Sequence, residues 1–145
     1  MLCPVCRIDQ VIVEWGGVEL DVCIEGHGIW FDAQELGQLF ETAGAPDAGP
    51  PLETRLQPAP RGAGGPKRRC PRCRARMDHV SLPEDPEQTV LDRCPRGHGL
   101  WFEPGELERI ATLELDGSPP QLERILSHLR RFTRPERGGE EPETQ

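Results

Sequence analysis

The chain has 145 residues, a formal net charge of −8, 16 glycines and 16 prolines, but only three tryptophans, four phenylalanines and no tyrosine. This loop-rich composition is poor in core material, so something besides hydrophobic burial must hold the fold. No run of about 18 apolar residues occurs, which excludes a membrane-spanning helix. Acidic residues crowd the first forty positions, where they repel a phosphate backbone.

The pattern Cys-Pro-x-Cys, then Cys-x-x-Gly-His-Gly-x-Trp-Phe, then Glu-Leu, occurs twice. All six cysteines fall inside the two copies, Cys3, Cys6 and Cys23 in the first, Cys70, Cys73 and Cys94 in the second. The first copy covers residues 1–44. After the Cys3–Cys6 turn, Ile8–Trp15 and Val18–Val22 flank Gly16-Gly17 and predict a β-hairpin. Gly28–Phe31 predicts a third short strand. Asp32 resembles an N-cap with Glu35 as its capping-box partner. Leu36, Leu39, Phe40 and Ala43 then mark one face of a short helix, which Gly44 ends.

Residues 45–66 are rich in Pro, Gly and Ala and read as a flexible linker that leaves the two units free to reorient. The second copy covers 67–116. Its excess of four residues falls between the cysteine pairs, where Leu82–Pro86 replaces a tight turn. Pro104 opens its helix, with Leu107, Ile110 and Ala111 as the apolar face. A further amphipathic helix is predicted over 118–133, carrying Leu122, Ile125, Leu126 and Leu129, and folding back onto the second unit or docking a partner. Residues 134–145 read as a disordered tail.

Units of roughly 40 to 45 residues rarely fold on apolar burial alone. Three thiols and one imidazole per copy supply the alternative, a tetrahedral zinc site. The candidate ligands are Cys3, Cys6, Cys23 and His27 for one ion, and Cys70, Cys73, Cys94 and His98 for a second. Asp21 and Asp92 are the fallback fourth ligands. Six cysteines also permit three disulfides, although three per copy leaves an odd thiol in each. Cys3 stands so close to Met1 that no signal peptide precedes it, so a cytoplasmic chain with reduced thiols is expected. Trp30, Phe31, Trp101 and Phe102 read as a small aromatic core beside the metals. Trp15 has no counterpart in the second copy and marks either a cover for the first unit or a contact surface.

These residues resemble the transcription-factor-type zinc finger family, similar to the ribbon of transcription initiation factor IIB. The matching runs are Cys3-Pro4-Val5-Cys6, Asp21-Val22-Cys23, Gly28-Ile29-Trp30-Phe31-Asp32 and Glu35-Leu36, with their counterparts from Cys70 to Leu107. Gly26 and Gly97 occupy the family's usual fourth-cysteine place, and a histidine follows one position later. The resemblance implies a small metal-stabilised α+β fold: two zinc ribbons, each a β-hairpin, a third short strand and a C-terminal helix.

A closed four-ligand site is structural, so the expected function is non-catalytic binding, in a setting the resemblance makes regulatory or transcription-related. The first unit sets Arg7 against Asp9, Glu14, Glu19, Asp21, Glu25, Asp32, Glu35 and Glu41, which favours a protein partner. In the second, Lys67, Arg68, Arg69, Arg72, Arg74 and Arg76 form a basic cluster that suits nucleic acid as an alternative partner. A thiol–disulfide oxidoreductase fits less well, because neither Cys-x-x-Cys pair precedes a predicted helix. His79 and His128 read as incidental surface residues. No membrane partner is expected, and the oligomeric state is left open.

Overall fold

The computed structural model describes residues 1–42, 52–115, 123–124 and 127–128. The β-branched runs around Gly16-Gly17 form strands β1 (Val11–Trp15) and β2 (Val18–Val22), paired antiparallel with Val13 opposite Leu20. Strand β3 (Ile29–Asp32) returns beside β2, and helix α1 (Glu35–Thr42) follows. A short helix α2 (Leu52–Arg55) and strand β4 (Gln57–Pro58) come next. The second copy then repeats the plan with β5 (Asp78–Ser81), β6 (Leu91–Arg93), β7 (Gly99–Phe102) and α3 (Glu106–Leu115).

Helices α1 and α3 start on the same side-chain bond. Glu35 Oε1 accepts from the Asp32 N–H at 2.9 Å, and Glu106 Oε1 accepts from the Glu103 N–H at 2.8 Å. This is one half of a capping box. The expected N-cap role of Asp32 is not seen. Its carboxylate accepts instead from Trp30 Nε1 at 2.8 Å and from the Arg72 guanidinium.

The seven strands form one antiparallel sheet in the order β1-β2-β3-β7-β6-β5-β4. The copies meet where β3 pairs β7, with Trp30 opposite Trp101 and Phe31 opposite Leu100. The pairing is reciprocal, Ile29 opposite Phe102 as Leu100 is opposite Phe31, so the copies are related by a pseudo-twofold axis at the tryptophan pair. Two motif glycines make the seam. A Cβ on Gly28 would lie 2.3 Å from Phe102 O, and one on Gly99 2.1 Å from Phe31 O. Both distances are far inside contact, so only glycine lets the strands approach this closely.

Strand alternation gives the sheet two different faces. On one, Val13, Leu20, Val22, Phe31, Leu100 and Phe102 pack with Leu36, Leu39 and Phe40 of α1 and Leu107 and Ile110 of α3. Phe31 and Phe102 meet edge to face, centroids 5.3 Å apart. This core runs through both copies. Trp30 and Trp101 face the other way and pack with Cys3, Cys23, Cys70, Cys94 and Met77. The tryptophans are thus the metal-side filling, whereas the phenylalanines belong to the helix-side core.

The flexible-linker expectation for 45–66 differs from the structure in its described part. Leu52 and Leu56 are buried in the helix-side core, and Gln57 and Pro58 pair with Ser81 and Val80. Two leucines four apart reach one patch of core, and their burial fixes the backbone between them. The shared sheet likewise replaces the expected free reorientation of the units. The inserted loop is ordered too. The Asp85 side chain is fully buried, accepts from the Glu87 and Thr89 N–H groups at 2.9 Å, and pairs with Arg109 at 2.9 Å. These donors hold its carboxyl down at about 2, against the opposing effect of burial.

The helix predicted over 118–133 lies mostly outside the described residues, as do Ala43, Gly44 and the tail 134–145. Glu123, Arg124, Ser127 and His128 are helical. The His128 ring lies 4.9 Å from Trp15. This contact is to the first copy's hairpin, so His128 is not an incidental surface residue. No helix among the described residues is long and apolar enough to cross a membrane.

Candidate metal centres

Each centre is assembled from two chain turns. The Cys3 N–H donates to Ile8 O at 2.9 Å and the Arg7 N–H to Cys3 O at 2.9 Å, which folds the first knuckle. The second copy repeats it with Cys70 to Ala75 O and Arg74 to Cys70 O, both 2.8 Å. Arg7 and Arg74 sit at matching places with φ of 64° and 68°, a left-handed conformation unusual for arginine. The third thiol comes from the turn after β2 or β6, closed by Gly26 N–H to Cys23 O and Gly97 N–H to Cys94 O at 3.0 Å.

The sequence-expected ligands converge. One donor atom from each of Cys3, Cys6, Cys23 and His27 lies within 4.8 Å of the others, and Cys70, Cys73, Cys94 and His98 do the same. Asp21 and Asp92, the fallback ligands, stand outside both groups. The histidines present Nδ1, His27 at 3.4 Å from Cys23 Sγ and His98 at 3.4 Å from Cys94 Sγ. All six cysteines are free thiols, and the closest pairs, Cys6–Cys23 at 3.7 Å and Cys73–Cys94 at 3.6 Å, are far longer than a disulfide.

The donor set fits zinc. Backbone N–H groups of Val5, Arg72 and Arg96 donate to the sulfurs of Cys3, Cys70 and Cys94 at 3.3 Å, which favours thiolate. Burial opposes ionisation. It pushes the Cys3 and Cys70 thiols up to about 12. The Ala75 N–H pulls the more open Cys73 down to about 6. A divalent ion supplies the charge that buried thiolates need, and binding it releases their protons.

A row of side chains crosses the metal face through both copies. The cross-strand pairs place Ile12 opposite Asp21, Asp21 opposite Trp30, Trp30 opposite Trp101, Trp101 opposite Asp92, and Asp92 opposite His79. His79 is therefore partnered. Its Nε2 lies 3.3 Å from Asp92 Oδ1, and its side chain is only 16% exposed. Sequence reading missed this pair because a long loop separates β5 from β6. The copies differ beside the row. Trp30 Nε1 donates to Asp32, whereas Trp101 Nε1 has no partner among the described residues. Arg72 crosses the seam to pair with Asp32, Nη2 to Oδ2 at 2.8 Å, and holds that carboxyl below its ordinary range.

Burial pushes the carboxyl of Glu35 up to about 7 and that of Glu106 up to about 8. Glu106 starts from an ordinary value of 4.5 in the unfolded chain. Between these values the folded protein keeps a proton that the unfolded chain has released. Its contribution to stability is intact at low pH and is lost as pH rises through about 8. Glu106→Gln keeps the accepting oxygen and removes the slope. Its advantage over the parent is expected to grow by about 1 to 3 kcal/mol between pH 6 and pH 8.5. Chemical denaturation of zinc-loaded protein at both pH values checks this.

The expected basic cluster is not gathered on one surface. Arg72 is bound to Asp32, and Arg68 Nε lies 3.9 Å from Glu103 Oε2. Arg69 Nη1 donates to Arg74 O at 3.0 Å. Lys67 and Arg76 make no ion pair among the described residues.

Two Cys3His centres on one antiparallel sheet, each built on paired knuckles, define a tandem zinc-ribbon protein that carries two zinc ions. The chain belongs to the transcription factor zinc-finger family, whose sequence pattern matches residues 2–42 and 69–112. No curated protein and no solved structure matches it.

Proposed function

We propose that the chain is a non-catalytic binding protein in which both zinc ions are structural, held by Cys3, Cys6, Cys23 and His27 and by Cys70, Cys73, Cys94 and His98. Closure supports this reading. Four protein donors converge in each centre, which completes a tetrahedron and leaves no coordination position for substrate. The thiol–disulfide reading is weaker, because Cys3 and Cys70 are fully buried and each Cys-x-x-Cys pair sits on a knuckle rather than at a helix N-terminus.

The partner we assign to the first ribbon is a protein, in a regulatory or transcription-related setting. One observation carries the assignment. Met1, Ile8, Val11, Ile12 and Ile24 are the exposed large apolar side chains among the described residues, and all five belong to the first copy. Glu14 and Glu19 share the face of the hairpin that carries Ile12, and these carboxylates repel nucleic acid. Ile12 is 64% exposed, so replacing it leaves the core intact. Affinity capture with the zinc-loaded chain is expected to retain protein partners after nuclease treatment, and Ile12→Asp is expected to lose them. A capture with no nuclease-resistant partner, or nuclease-resistant partners that Ile12→Asp still retains, contradicts the assignment.

A further inference from the structure

Strand alternation sorts the cations of the second copy onto opposite faces. The Met77 N–H donates to Arg68 O at 2.8 Å and Arg69 bridges Arg76, so the segment before Cys70 runs antiparallel to the one entering β5. Alternate residues of such a ladder face opposite ways. Lys67 and Arg69 therefore lie with Arg76, Asp78 and Arg93 on the helix side, while Arg68 faces the metal side. Arg61, Lys67 and Arg93 line one cavity of about 400 Å³ together with Asp78, Pro58 and Val80. Among the described residues, none of Arg61, Lys67, Arg69, Arg76 and Arg93 makes an ion pair, and Asp78 is the one carboxylate lining the cavity.

The first copy shows that folding does not require these charges. Arg93 stands where the first copy has Val22, which is wholly buried. Arg69 and Arg76 stand where it has Leu2 and Asp9, which form the equivalent bridge. A half-buried, unpaired guanidinium beside a core is a desolvation cost that an incoming anion offsets.

We propose that this face binds the phosphate backbone of nucleic acid without reading its sequence. Lys67 and Arg69 stand two residues apart, a step of roughly 6.6 Å, Arg76 lies opposite Arg69 and Arg93 opposite Asp78, so the cations run as a row across neighbouring strands. A row fits a polymer of phosphates better than a single acidic group. The cavity offers His79 but no Phe, Tyr or Trp on which bases can stack, so the contact is to backbone. The net charge of −8 does not oppose it, because carboxylates beyond about 10 Å are screened at 0.1 M salt. This interface is separate from the protein-binding surface assigned to the first ribbon.

The test is fluorescence anisotropy of the zinc-loaded full-length chain with a labelled DNA duplex of about 20 base pairs, titrated from about 50 to 200 mM salt. Log affinity is expected to fall linearly with log salt. The combined variant Arg61→Ala, Lys67→Ala, Arg93→Ala is expected to weaken binding at least tenfold and to flatten the slope by about 2 to 3. Arg68→Ala, on the opposite face, is expected to stay within about twofold. Zinc content and melting temperature establish that each variant is folded. Three outcomes overturn the proposal: no binding at the lowest salt, a folded combined variant that binds like the parent, or displacement of the duplex by polyglutamate as readily as by unlabelled DNA. None of them bears on nuclease-resistant capture through Ile12, so the two assignments fail separately.

Discussion

Cys94→Ser is expected to release one of the two zinc ions and to destabilise the protein by about 4 kcal/mol or more, placing it among the few severe single substitutions. The thiol is almost fully buried and belongs to the closed second centre. Serine offers a poor zinc ligand and leaves two further thiols without their metal. Structural zinc contributes roughly 10 to 16 kcal/mol in small isolated domains, more than most domains hold in net stability. The damage is expected to spread. Leu100 and Phe102 of the second copy share one core with Leu20 and Phe31 of the first. Melting the second ribbon therefore exposes apolar surface of its neighbour. Native mass spectrometry reads the zinc count and circular dichroism reads the melt. Two retained ions with an unchanged melting temperature would contradict the assignment of Cys94 as a ligand.

Gly99→Ala and Gly28→Ala are expected to part the copies while leaving both ions bound. A methyl group at Gly99 would meet Phe31 O at 2.1 Å and Trp30 Cζ2 at 2.8 Å, and one at Gly28 would meet Phe102 O at 2.3 Å and Trp101 Cζ2 at 2.6 Å. The oxygens belong to backbone in the ladder between the copies, so they cannot rotate away. The strands must separate, with loss of the tryptophan packing and of the Arg72–Asp32 pair across the seam. Overpacking at a fixed backbone costs about 1 to 3 kcal/mol, and the opened ladder adds to it. All eight candidate metal-ligating side chains stay within their own copies. A lower melting temperature at an unchanged count of two zinc ions is therefore the signature of this defect, and it separates these variants from Cys94→Ser. An alanine variant that melts like the parent would show that β3 and β7 are not joined as described.

The metal centres were legible because ligand chemistry is local. Cysteine spacing, the Gly-His-Gly turn and the duplication all name the same eight residues, and the structure brings those eight together in two groups. The hairpins were legible for a similar reason, since β-branched runs on either side of Gly16-Gly17 leave few alternatives. Long-range pairing was not legible. Gly28 and Gly99 look like turn glycines in the motif, and only the approach of the other copy shows why a side chain is forbidden. Leu52 and Leu56 sit in a stretch whose composition signals a linker, although their spacing of four was the sign that a helical turn would bury them. The basic cluster was misread for want of strand alternation. Lys67 and Arg69 are neighbours of Arg68 in sequence but lie on the opposite face of the sheet. His79 and Asp92 meet only because the loop holding Asp85 sets the register of β5 against β6.

The dependence of this small fold on two zinc ions, each held by three sulfurs and one imidazole nitrogen, underlies both metal assignments. Its most direct test is native mass spectrometry of the protein purified without chelator, followed by a thermal melt after metal removal. The expected result is a chain carrying two zinc ions that loses its cooperative transition when stripped and regains it when zinc is restored. A chain found without zinc, or a stripped chain that still melts cooperatively, would contradict it.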